Sequence, residues 1–480
     1  MRTAASTCVL CTGVHSGLGT GLGRAGVAVV LAALAALAGC TASAADTGPP
    51  SDQLFFPTGL AVAPDDSVLF VANSNSELRY DSGTINVIDL DMVQQAIHGS
   101  APKPGDCSPD PDHRESLICD EAQFILLDAG VRIGNFATTI AVQDFGPGNY
   151  RVFVPTRGDP SIAWANYDGN SKSLSCTADA GHFQQCDDAH RLTSELEDPD
   201  MTHAVDEPFD VFASASPDGS GFAVVTHQTN GVVTLVDSPA TDLARITDIK
   251  YDIFDPDLLT GLRGATGVSG RSTPSGEQVY VGSRTEDRIQ MFTVGRPEAP
   301  TPAYLVESNF FFLNAVGTDA GVGGSTDTRG MTFSQDGNQL YLVNRMPPSV
   351  QVYDTTLGAD GFPVNRAIGA SDICRDASTL TALHFPMVPN TPVPVAYDRI
   401  YLTCFDDGQV YVVDPSGVSQ VEDVILVGRG PYAVAAAPTR NLVFVTNFLE
   451  DTIAVIDVDP MSVNRNRVVL RIGTPKAPES

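Results

Sequence analysis

Short apolar runs alternate with polar turns along most of the chain, from about residue 55 to residue 475. Two runs commonly form a unit. Residues 442–447 are followed by residues 453–457, and residues 340–344 by residues 350–354. Runs of this length, rich in Val, Ile, Tyr and Phe and bounded by Gly, Asp and Asn, are typical of β-strands joined by hairpins. The pattern therefore predicts an all-β chain.

The paired runs occur seven times with the same internal layout. A weaker strand and a turn precede each pair, and a fourth strand follows several of them. Four short strands repeated seven times predict a seven-bladed β-propeller, because seven sheets packed around an axis bury the faces that one sheet leaves open. The first runs cover residues 70–73, 152–156, 224–227, 279–283, 340–344, 400–404 and 442–447, and the second runs cover residues 85–89, 162–166, 233–237, 289–293, 350–354, 410–414 and 453–457.

The end of the first run and the second run together form a motif. It reads FVTN at residues 444–447 with VID at 455–457, and FVAN at 70–73 with VID at 87–89. This motif resembles the YVTN-type seven-bladed propeller lipoproteins of the lactonase-like (YncE-like) superfamily, over residues 55–475. The resemblance implies a fold and leaves the function open. Four copies have another residue in place of the strand-ending Asn: Thr156, His227, Ser283 and Cys404.

The first forty residues resemble a bacterial lipoprotein signal peptide. Arg24 precedes an apolar run over residues 25–38, which suits a signal-peptide core and is short for a bilayer span. The run ends in LAGC, which resembles a lipobox, where the Cys40 thiol takes a diacylglycerol. An ordinary secretory cleavage near residues 42–45 is the alternative. Thr41 replaces the Asp that commonly retains such proteins in the inner membrane, which favours the outer membrane.

These features divide the chain into four segments. We expect residues 1–39 to be a signal peptide, and residues 40–54 to be the lipidated Cys40 and a flexible tether. Residues 55–475 form the predicted propeller and residues 476–480 a tail. The predicted location is the bacterial cell envelope, with the lipid anchor as the contact with the membrane.

Nine cysteines fall into three groups. Cys8 and Cys11 belong to the signal peptide, and Cys40 is the lipid site. The other six are an even number in an exported chain, which favours disulfides, and none shows the CxxC spacing of a zinc or redox site. Of the fifteen possible pairings, proximity along the chain favours Cys107–Cys119, Cys176–Cys186 and Cys374–Cys404.

The charge of the chain narrows its partners. It has 58 acidic and 28 basic residues and a formal charge of −30. Nucleic acid and anionic membrane surfaces carry charge of the same sign, so neither is an expected partner. An envelope protein and a small anionic ligand remain as candidates, and we expect a monomer.

Six arginines form the candidate binding site. Three directly follow strand-ending positions (Arg157, Arg284 and Arg345), and three precede glycines in blade-to-blade loops (Arg263, Arg329 and Arg429). Both kinds of loop open on one face of a propeller, where binding sites commonly lie. Converging guanidinium groups bind carboxylate or phosphate, so this face is a candidate anion site. The alternative is pairing with acidic residues of the same loops, which are Asp159, Glu286, Asp287, Asp406, Asp407, Glu450 and Asp451.

Histidines and carboxylates are the second candidate chemistry. Four histidines lie in or just after a long acidic insertion, and such groups together could hold a divalent metal such as Ca or Zn. No HxH or HExxH spacing supports a metal site, so a solvated acidic loop is favoured. The four are His182, His190, His203 and His227. A second acidic insertion, residues 106–120, could bind Ca²⁺ but lacks the EF-hand pattern.

Familiar catalytic motifs are missing after residue 39. The sequence has no GxSxG nucleophile elbow and no Gly-rich phosphate loop before a helix, and helical pattern is confined to residues 92–98. The first expectation is therefore a binding or scaffold module for a protein or a small anionic ligand, and no cofactor is expected. The alternative, which the resemblance implies, is a lactonase-like hydrolase or lyase with its active site at the channel mouth.

Overall fold

Seven antiparallel sheets form a ring, so the chain is a seven-bladed β-propeller, as the repeats predict. The computed structural model describes residues 47–99, 107–111, 113, 115–178, 182–193, 206–257, 260–296, 302–313, 326–387, 395–416 and 420–476. The predicted signal peptide and Cys40 lie outside these residues. Within them, no helix is long and apolar enough to cross a bilayer.

The first three blades carry the two long insertions of the chain. Blade 1 contains β1 (Pro57–Val62), β2 (Val68–Asn73), β3 (Gly83–Asp89), helix α1 (Leu90–Ile97), β4 (Cys107–Pro109), β5 (Leu117–Cys119), a 3₁₀ turn (Glu121–Gln123) and β6 (Val131–Ile133). Blade 2 contains β7 (Ala141–Asp144), β8 (Asn149–Thr156), β9 (Ser161–Asp168), β10 (Ser173–Ser175), a 3₁₀ turn (Asp188–His190) and β11 (Arg191–Thr193). Blade 3 contains β12 (Pro208–Ala215), β13 (Gly221–His227), β14 (Val232–Asp237) and β15 (Arg245–Lys250).

The other four blades are more regular. Blade 4 contains β16 (Ala265–Thr273), β17 (Gly276–Ser283), β18 (Arg288–Gly295) and β19 (Tyr304–Phe312). Blade 5 contains β20 (Thr328–Phe333), β21 (Gln339–Arg345), β22 (Pro348–Asp354) and β23 (Arg366–Asp372). Blade 6 contains β24 (Ala377–Phe385), β25 (Tyr397–Cys404), β26 (Gln409–Asp414) and β27 (Gln420–Leu426). Blade 7 contains β28 (Pro431–Ala437), β29 (Leu442–Asn447), a 3₁₀ turn (Pro438–Arg440), β30 (Thr452–Asp457) and β31 (Arg467–Ile472).

The second and third strands of the blades are apolar on both faces because each blade lies between two others. All six residues of β2 and all six of β29 are buried. Strands buried on both faces lose the alternation of polar and apolar residues that a half-exposed strand shows. The core is therefore a set of layers between blades, in which, for example, Val71 of blade 1 and Phe444 of blade 7 share one cluster.

The strand-ending Asn closes the hairpin that follows it. Asn73 Nδ2 donates to Thr84 Oγ1 at 2.8 Å, and Asn447 Nδ2 donates to Thr452 Oγ1 at 3.0 Å. Where the Asn is missing, other side chains make comparable bonds: Thr156 Oγ1 lies 2.7 Å from Ser161 Oγ. The turn therefore tolerates several residue types, because any short polar group at the strand end can reach across the hairpin.

All three predicted disulfides form. Cys107 pairs with Cys119, Cys176 with Cys186, and Cys374 with Cys404. The first two staple the insertions of blades 1 and 2. The third lies at the strand end of blade 6, where Cys404 replaces the motif Asn.

A hairpin from blade 1 helps to close the ring. Each blade has its own four strands in chain order, so no terminal strand is exchanged. The hairpin β4–β5 leaves blade 1 and adds to the outer edge of blade 7, where β5 runs parallel to β31. Inner strands β1 and β28 also pack together, and Asp451 Oδ1 accepts the Phe56 backbone N–H at 2.6 Å. Blades 1 and 7 are thus joined at both their inner and outer edges.

The predicted helical pattern at residues 92–98 is also confirmed, two residues upstream. Helix α1 begins after Asp89, whose carboxylate accepts the backbone N–H groups of Asp91 and Met92. The amphipathic helix buries Leu90, Val93 and Ala96. A carboxylate at this position satisfies otherwise unpaired amides of the first turn.

Candidate functional site

One end of the ring gathers the loops that the sequence singled out. The innermost strands begin at this end, and the hairpins between second and third strands turn there, since Pro57 faces Asn73 and Pro431 faces Asn447 across antiparallel pairs. We call it the upper end. All six candidate arginines lie at this end, although Arg329 is the second residue of β20 and Arg345 the last of β21, not loop residues.

A bulge at the start of the innermost strands decides which side chains line the channel. The register shifts after the first residue in six of the seven innermost strands. A bulge turns side chains away from the regular alternation, and it recurs here where the strands enter the channel. Most bulge residues are small, but four are large or charged: Phe209, Asp210, Arg329 and Tyr432. These four come from blades 3, 5 and 7, so large or charged side chains enter the channel from three separate blades.

The bulge residues line a cavity of about 240 Å³ in the channel. All seven blades contribute to its wall, and Asp210, Arg329 and Tyr432 are its ionisable residues. A cavity of this size admits a small molecule and excludes a folded partner.

Two arginines from neighbouring blades meet over a shared amide. With its side-chain amide oriented to satisfy both neighbours, Gln228 Oε1 accepts from Arg284 Nη1 at 3.2 Å and from Arg329 Nη1 at 3.1 Å. Arg329 also forms a bidentate pair with Asp327, with Nε–Oδ1 and Nη2–Oδ2 distances of 2.7 and 2.9 Å. Its guanidinium lies 5.3 Å from the centre of the Phe209 ring, which fixes its position in the channel wall.

Arg345 and Arg157 complete the group. Arg345 donates from Nε to the carbonyl of Ala377 at 2.8 Å and from Nη2 to Ser378 Oγ at 3.3 Å. Burial lowers the pKa of Arg345, and the nearby Arg329 charge lowers it further. Arg157 Nε donates to Glu207 Oε2 at 2.6 Å. We refer to Arg157, Arg284, Arg329 and Arg345 as the mouth arginines.

Among the described residues, two of the four mouth arginines form ion pairs and two do not. Glu207 pairs with Arg157 and Asp327 with Arg329. Among the described residues, no carboxylate lies within 4 Å of the guanidinium of Arg284 or Arg345. Arg345 also lies within electrostatic reach of Asp327 and Asp376, and these carboxylates act on its charge without forming an ion pair with it. Partly buried guanidinium groups without carboxylate partners favour the entry of an anion.

The other two candidates form ion pairs with carboxylates. Arg263 Nη1 pairs with Asp252 at 2.9 Å and Arg429 Nε with Glu450 at 3.3 Å. Arg429 also donates to the carbonyl of Lys476 at 2.5 Å. Of the pairings considered from the sequence, only Arg429 with Glu450 forms among the described residues; Glu207, Asp252 and Asp327 were not foreseen as partners.

Asp210 places a titratable carboxylate in the same cavity. Burial raises its pKa to about 6, against hydrogen bonds that stabilise the charged form. These come from the backbone N–H of Val268 to Oδ2 at 3.0 Å and from that of Val211 to Oδ1 at 2.9 Å. A carboxyl group with a pKa near neutrality can exchange protons at physiological pH, and such groups cluster at functional sites.

Tyr432 links the carboxylate to the arginines. Burial raises the pKa of its phenol, and the charges of Arg329, Arg345 and Arg157 act against that rise while Asp210 adds to it. The phenol therefore lies within electrostatic reach of three mouth arginines and of Asp210. A neutral phenol can donate a hydrogen bond to an anionic oxygen.

The candidate histidines that the structure describes do not come together. His227 is buried at its strand end, where Nε2 lies 2.9 Å from Thr234 Oγ1. His190 pairs with Asp187 at 2.6 Å and packs against Trp164, while His182 is exposed. His203 lies outside the described residues. In the part of the chain that the structure describes, no three His, Cys, Asp or Glu side chains converge as a metal site would require.

The acidic insertion at residues 106–120 has a structural contact. Asp110 Oδ2 lies 3.5 Å from Arg471 Nε, so this carboxylate helps to fix the β4–β5 hairpin on blade 7. Asp112 lies outside the described residues.

Sequence reasoning missed Gln228, Asp210 and Tyr432. A signal was present in the repeats. Asp210 occupies a position held by Gly59, Gly267 and Gly330 in other blades, and aligning the starts of all seven innermost strands would have isolated it. Gln228 follows its strand end as Arg157 and Arg284 do theirs.

Comparison with known proteins identifies the fold only. No protein-family model and no curated protein matches the chain. Similar solved structures include the periplasmic gluconolactonase PpgL of Pseudomonas aeruginosa, at 14% identity over 78% of this chain and 87% of that chain, with a TM-score of 0.47. A candidate 6-phosphogluconolactonase of Bacteroides uniformis matches at 12% identity over 78% and 87%, with a TM-score of 0.47. Apo AztD of Citrobacter koseri matches at 12% over 88% and 90%, with a TM-score of 0.40.

These neighbours are lactonase-like and other propellers. At such identities, and with TM-scores below 0.5, the likeness carries no argument about activity. The YVTN-type resemblance stays a prediction, and the site itself must support any function.

Proposed function

We propose that the channel mouth is the active site of a lactonase-like hydrolase that acts on a small ester or lactone bearing an anionic group. One observation carries the proposal: Arg329, one of the mouth arginines, lines the same small cavity as Asp210, whose pKa is raised to about 6, and the charges of Arg345 and Arg157 act on Tyr432 in the cavity wall. A scaffold would need neither a cavity nor a group that titrates near neutrality.

The mouth arginines supply binding and charge stabilisation in this proposal. Arg284 and Arg345 take the anionic group of the substrate, because they lack carboxylate partners among the described residues. Arg329 and Tyr432 face the cavity and stabilise negative charge on the oxygen of the carbonyl under attack. Donors fixed by Asp327, Gln228 and the protein backbone need little rearrangement as that charge develops.

Asp210 acts as the general base. Its ionised carboxylate takes a proton from a water molecule as the water oxygen adds to the carbonyl carbon. The carbon–oxygen bond to the alcohol portion then breaks, and the leaving oxygen takes that proton from Asp210. The products are a carboxylic acid and an alcohol, which remain one molecule when the substrate is a lactone, and no oxidant or cofactor is needed.

The test is hydrolysis of a panel of lactones and esters with and without a carboxylate or phosphate group. We expect turnover only with the anionic members, and kcat/KM should rise with pH through about 6 as Asp210 ionises. Asp210→Asn should lower kcat by roughly a hundredfold to ten-thousandfold. Asp218→Asn at the opposite end of the ring is the matched control and should retain native activity.

Two results would contradict this function. Native turnover by Asp210→Asn would remove the proposed base. Failure to hydrolyse every member of the panel, while carboxylate anions still bind at the mouth, would favour the binding module that the sequence first suggested.

We also propose that lipid on Cys40 holds the protein in the cell envelope. This rests on the sequence alone. The test is whether removal of Cys40 releases the protein from membranes. Cys40→Ser should move the protein from the membrane fraction to the soluble envelope fraction, because acyl chains contribute about 0.8 kcal/mol for each buried methylene. Unchanged fractionation would refute the anchor.

A further inference from the structure

The position that directly follows the strand-ending motif residue, which is Asn73 in blade 1 and Asn344 in blade 5, forms a ring around the channel mouth, and its residues divide into two kinds. Blades 2 to 5 place polar or cationic side chains there, and blades 6 and 7 place phenylalanines. In blade order from 1 to 7 the residues are Ser74, Arg157, Gln228, Arg284, Arg345, Phe405 and Phe448. Because blade order is also the order around the ring, the cationic and aromatic positions occupy two separate arcs.

The aromatic arc is a continuous surface that reaches the cavity. The centres of the Phe405 and Phe448 rings are 6.2 Å apart, and each lies 6.4 Å from the centre of the Tyr432 ring. Tyr432 lines the cavity with Arg329. The aromatic surface therefore meets the arginines at one residue.

The aromatic arc is open to solvent at its rim. Phe405 and Phe448 are only partly buried, and Leu449 beside them has 47% of its surface exposed. Phe56 packs behind Phe448 at 5.4 Å and is itself buried, so the arc has a firm apolar backing. Partly exposed rings beside a pocket commonly form the apolar part of a small-molecule site.

We infer that the substrate is amphipathic: an anion whose carboxylate or phosphate lies against the mouth arginines and whose aryl or alkyl group lies on Phe405 and Phe448. This inference rests on the proposed function and specifies its substrate class. A heavily hydroxylated sugar acid fits poorly, because its hydroxyl groups would lose water against the aromatic arc without gaining hydrogen bonds.

The test compares two carboxylates of equal charge, 4-phenylbutanoate and gluconate, by isothermal titration calorimetry with the full chain. We expect 4-phenylbutanoate to bind about tenfold more tightly, the scale of an aromatic contact. The double variant Phe405→Ala/Phe448→Ala should lose this preference while its affinity for gluconate changes less than about twofold. Phe310→Ala/Phe312→Ala removes an exposed ring pair from the outer strand of blade 4 and should bind as the native protein does.

The outcomes separate this inference from the function on which it rests. Equal or tighter binding of gluconate by the native protein would overturn the amphipathic substrate and leave an anion site in place, as would an undiminished preference in the double variant. Failure of both acids to bind would overturn the proposed function itself. If the double alanine variant does not fold, Phe405→Leu/Phe448→Leu keeps apolar volume, and loss of the aryl preference over an equally long alkyl carboxylate would support the ring contacts.

Discussion

The two ends of the propeller satisfy their charged side chains in different ways. At the lower end, where first strands turn into second strands and third into fourth, aspartates accept hydrogen bonds within their own turns. Asp218 Oδ1 accepts from the Ser220 backbone N–H at 2.9 Å and from Ser220 Oγ at 2.7 Å. Asp354 makes the same two bonds with Thr356. At the upper end, Arg284 and Arg345 have no carboxylate partner among the described residues.

The difference teaches that the count of charged residues says little about where a ligand binds. The hydrogen bond from the Ser220 side chain, followed by that from its backbone, lowers the pKa of Asp218, and Thr356 does the same for Asp354. These carboxylates are stabilised as anions by local bonds and need no further partner. Arg284 and Arg345 are held in place by an amide, a hydroxyl and a carbonyl, which orient a guanidinium without forming an ion pair with it.

The largest effect is expected when the two arginines without carboxylate partners, Arg284 and Arg345, are replaced. Arg284→Gln/Arg345→Gln should weaken binding of a carboxylate ligand by about a hundredfold or more, because hydrogen bonds to charged groups contribute about 1.5–3 kcal/mol each. Titration calorimetry measures the change. Arg263→Gln/Arg429→Gln makes the same substitutions at the same end on paired arginines, and its affinity should stay near native. Equal losses in both variants would indicate a general field effect in place of a site.

Acid titration should separate the two ends by sign. Asp210 has its pKa raised from 3.8 to about 6, so its protonated form favours the fold and this contribution is lost as pH rises through about 6. The lower aspartates have lowered pKa values, so their contribution is lost as pH falls. The stability of Asp210→Asn relative to native should therefore increase between pH 4 and pH 7, by at most about 3 kcal/mol. Denaturant unfolding at several pH values measures this, and a constant difference would contradict it.

Salt should weaken anion binding at the upper end and have little effect on the turns at the lower end. Raising ionic strength from about 0.05 to 0.5 M screens the attraction between an anion and the mouth arginines, and we expect a severalfold weaker affinity. The turn bonds of the lower aspartates are short-range, so the melting temperature should change little. A salt-insensitive affinity would show that the arginines do not bind through charge.

The smallest effect is expected from a lower aspartate. Asp336 Oδ1 accepts from Ser334 Oγ at 2.7 Å and from the Asn338 backbone N–H at 3.0 Å, within one turn at the lower end. Asp336→Ala should lower the melting temperature by about 1 °C in a domain of this size and leave ligand affinity unchanged. Differential scanning calorimetry measures the melting temperature, and titration calorimetry on the same preparation measures the ligand affinity. A clear loss of affinity would mean that the two ends are coupled.

The fold could be predicted from the sequence because the same physical constraint acts seven times. The second and third strands are buried between blades, so each appears in the sequence as an apolar run that can be aligned with the others. Proximity along the chain identified all three disulfides. The β4–β5 hairpin could not be predicted. It pairs with β31 across most of the chain length, and a three-residue strand carries no periodic signal of its own.

The site was predicted only in part, for a related reason. Position in the repeats placed the six arginines at one end but could not separate Arg284 and Arg345 from Arg263 and Arg429. That separation depends on which acidic side chain each one meets. Asp252 meets Arg263 within the connection between β15 and β16, where the repeat pattern gives no spacing rule that would reveal the pair. Asp210 was not predicted as a site residue, because a single carboxylate in a strand has the same pattern in the sequence as a carboxylate on the exposed face of a sheet.

The β4–β5 hairpin, which leaves blade 1 and pairs with blade 7, has a consequence for the order in which the chain is synthesised. Cys119 at the end of β5 and Arg467 at the start of β31 are 348 positions apart, so the hairpin is synthesised long before the strand with which it pairs. The bond between Cys107 and Cys119 spans only 12 positions and can be made early. The outer edge strands of the last blade therefore come from a segment near the start of the chain. A chain that stopped after blade 6 would keep this hairpin without the blade that it fits.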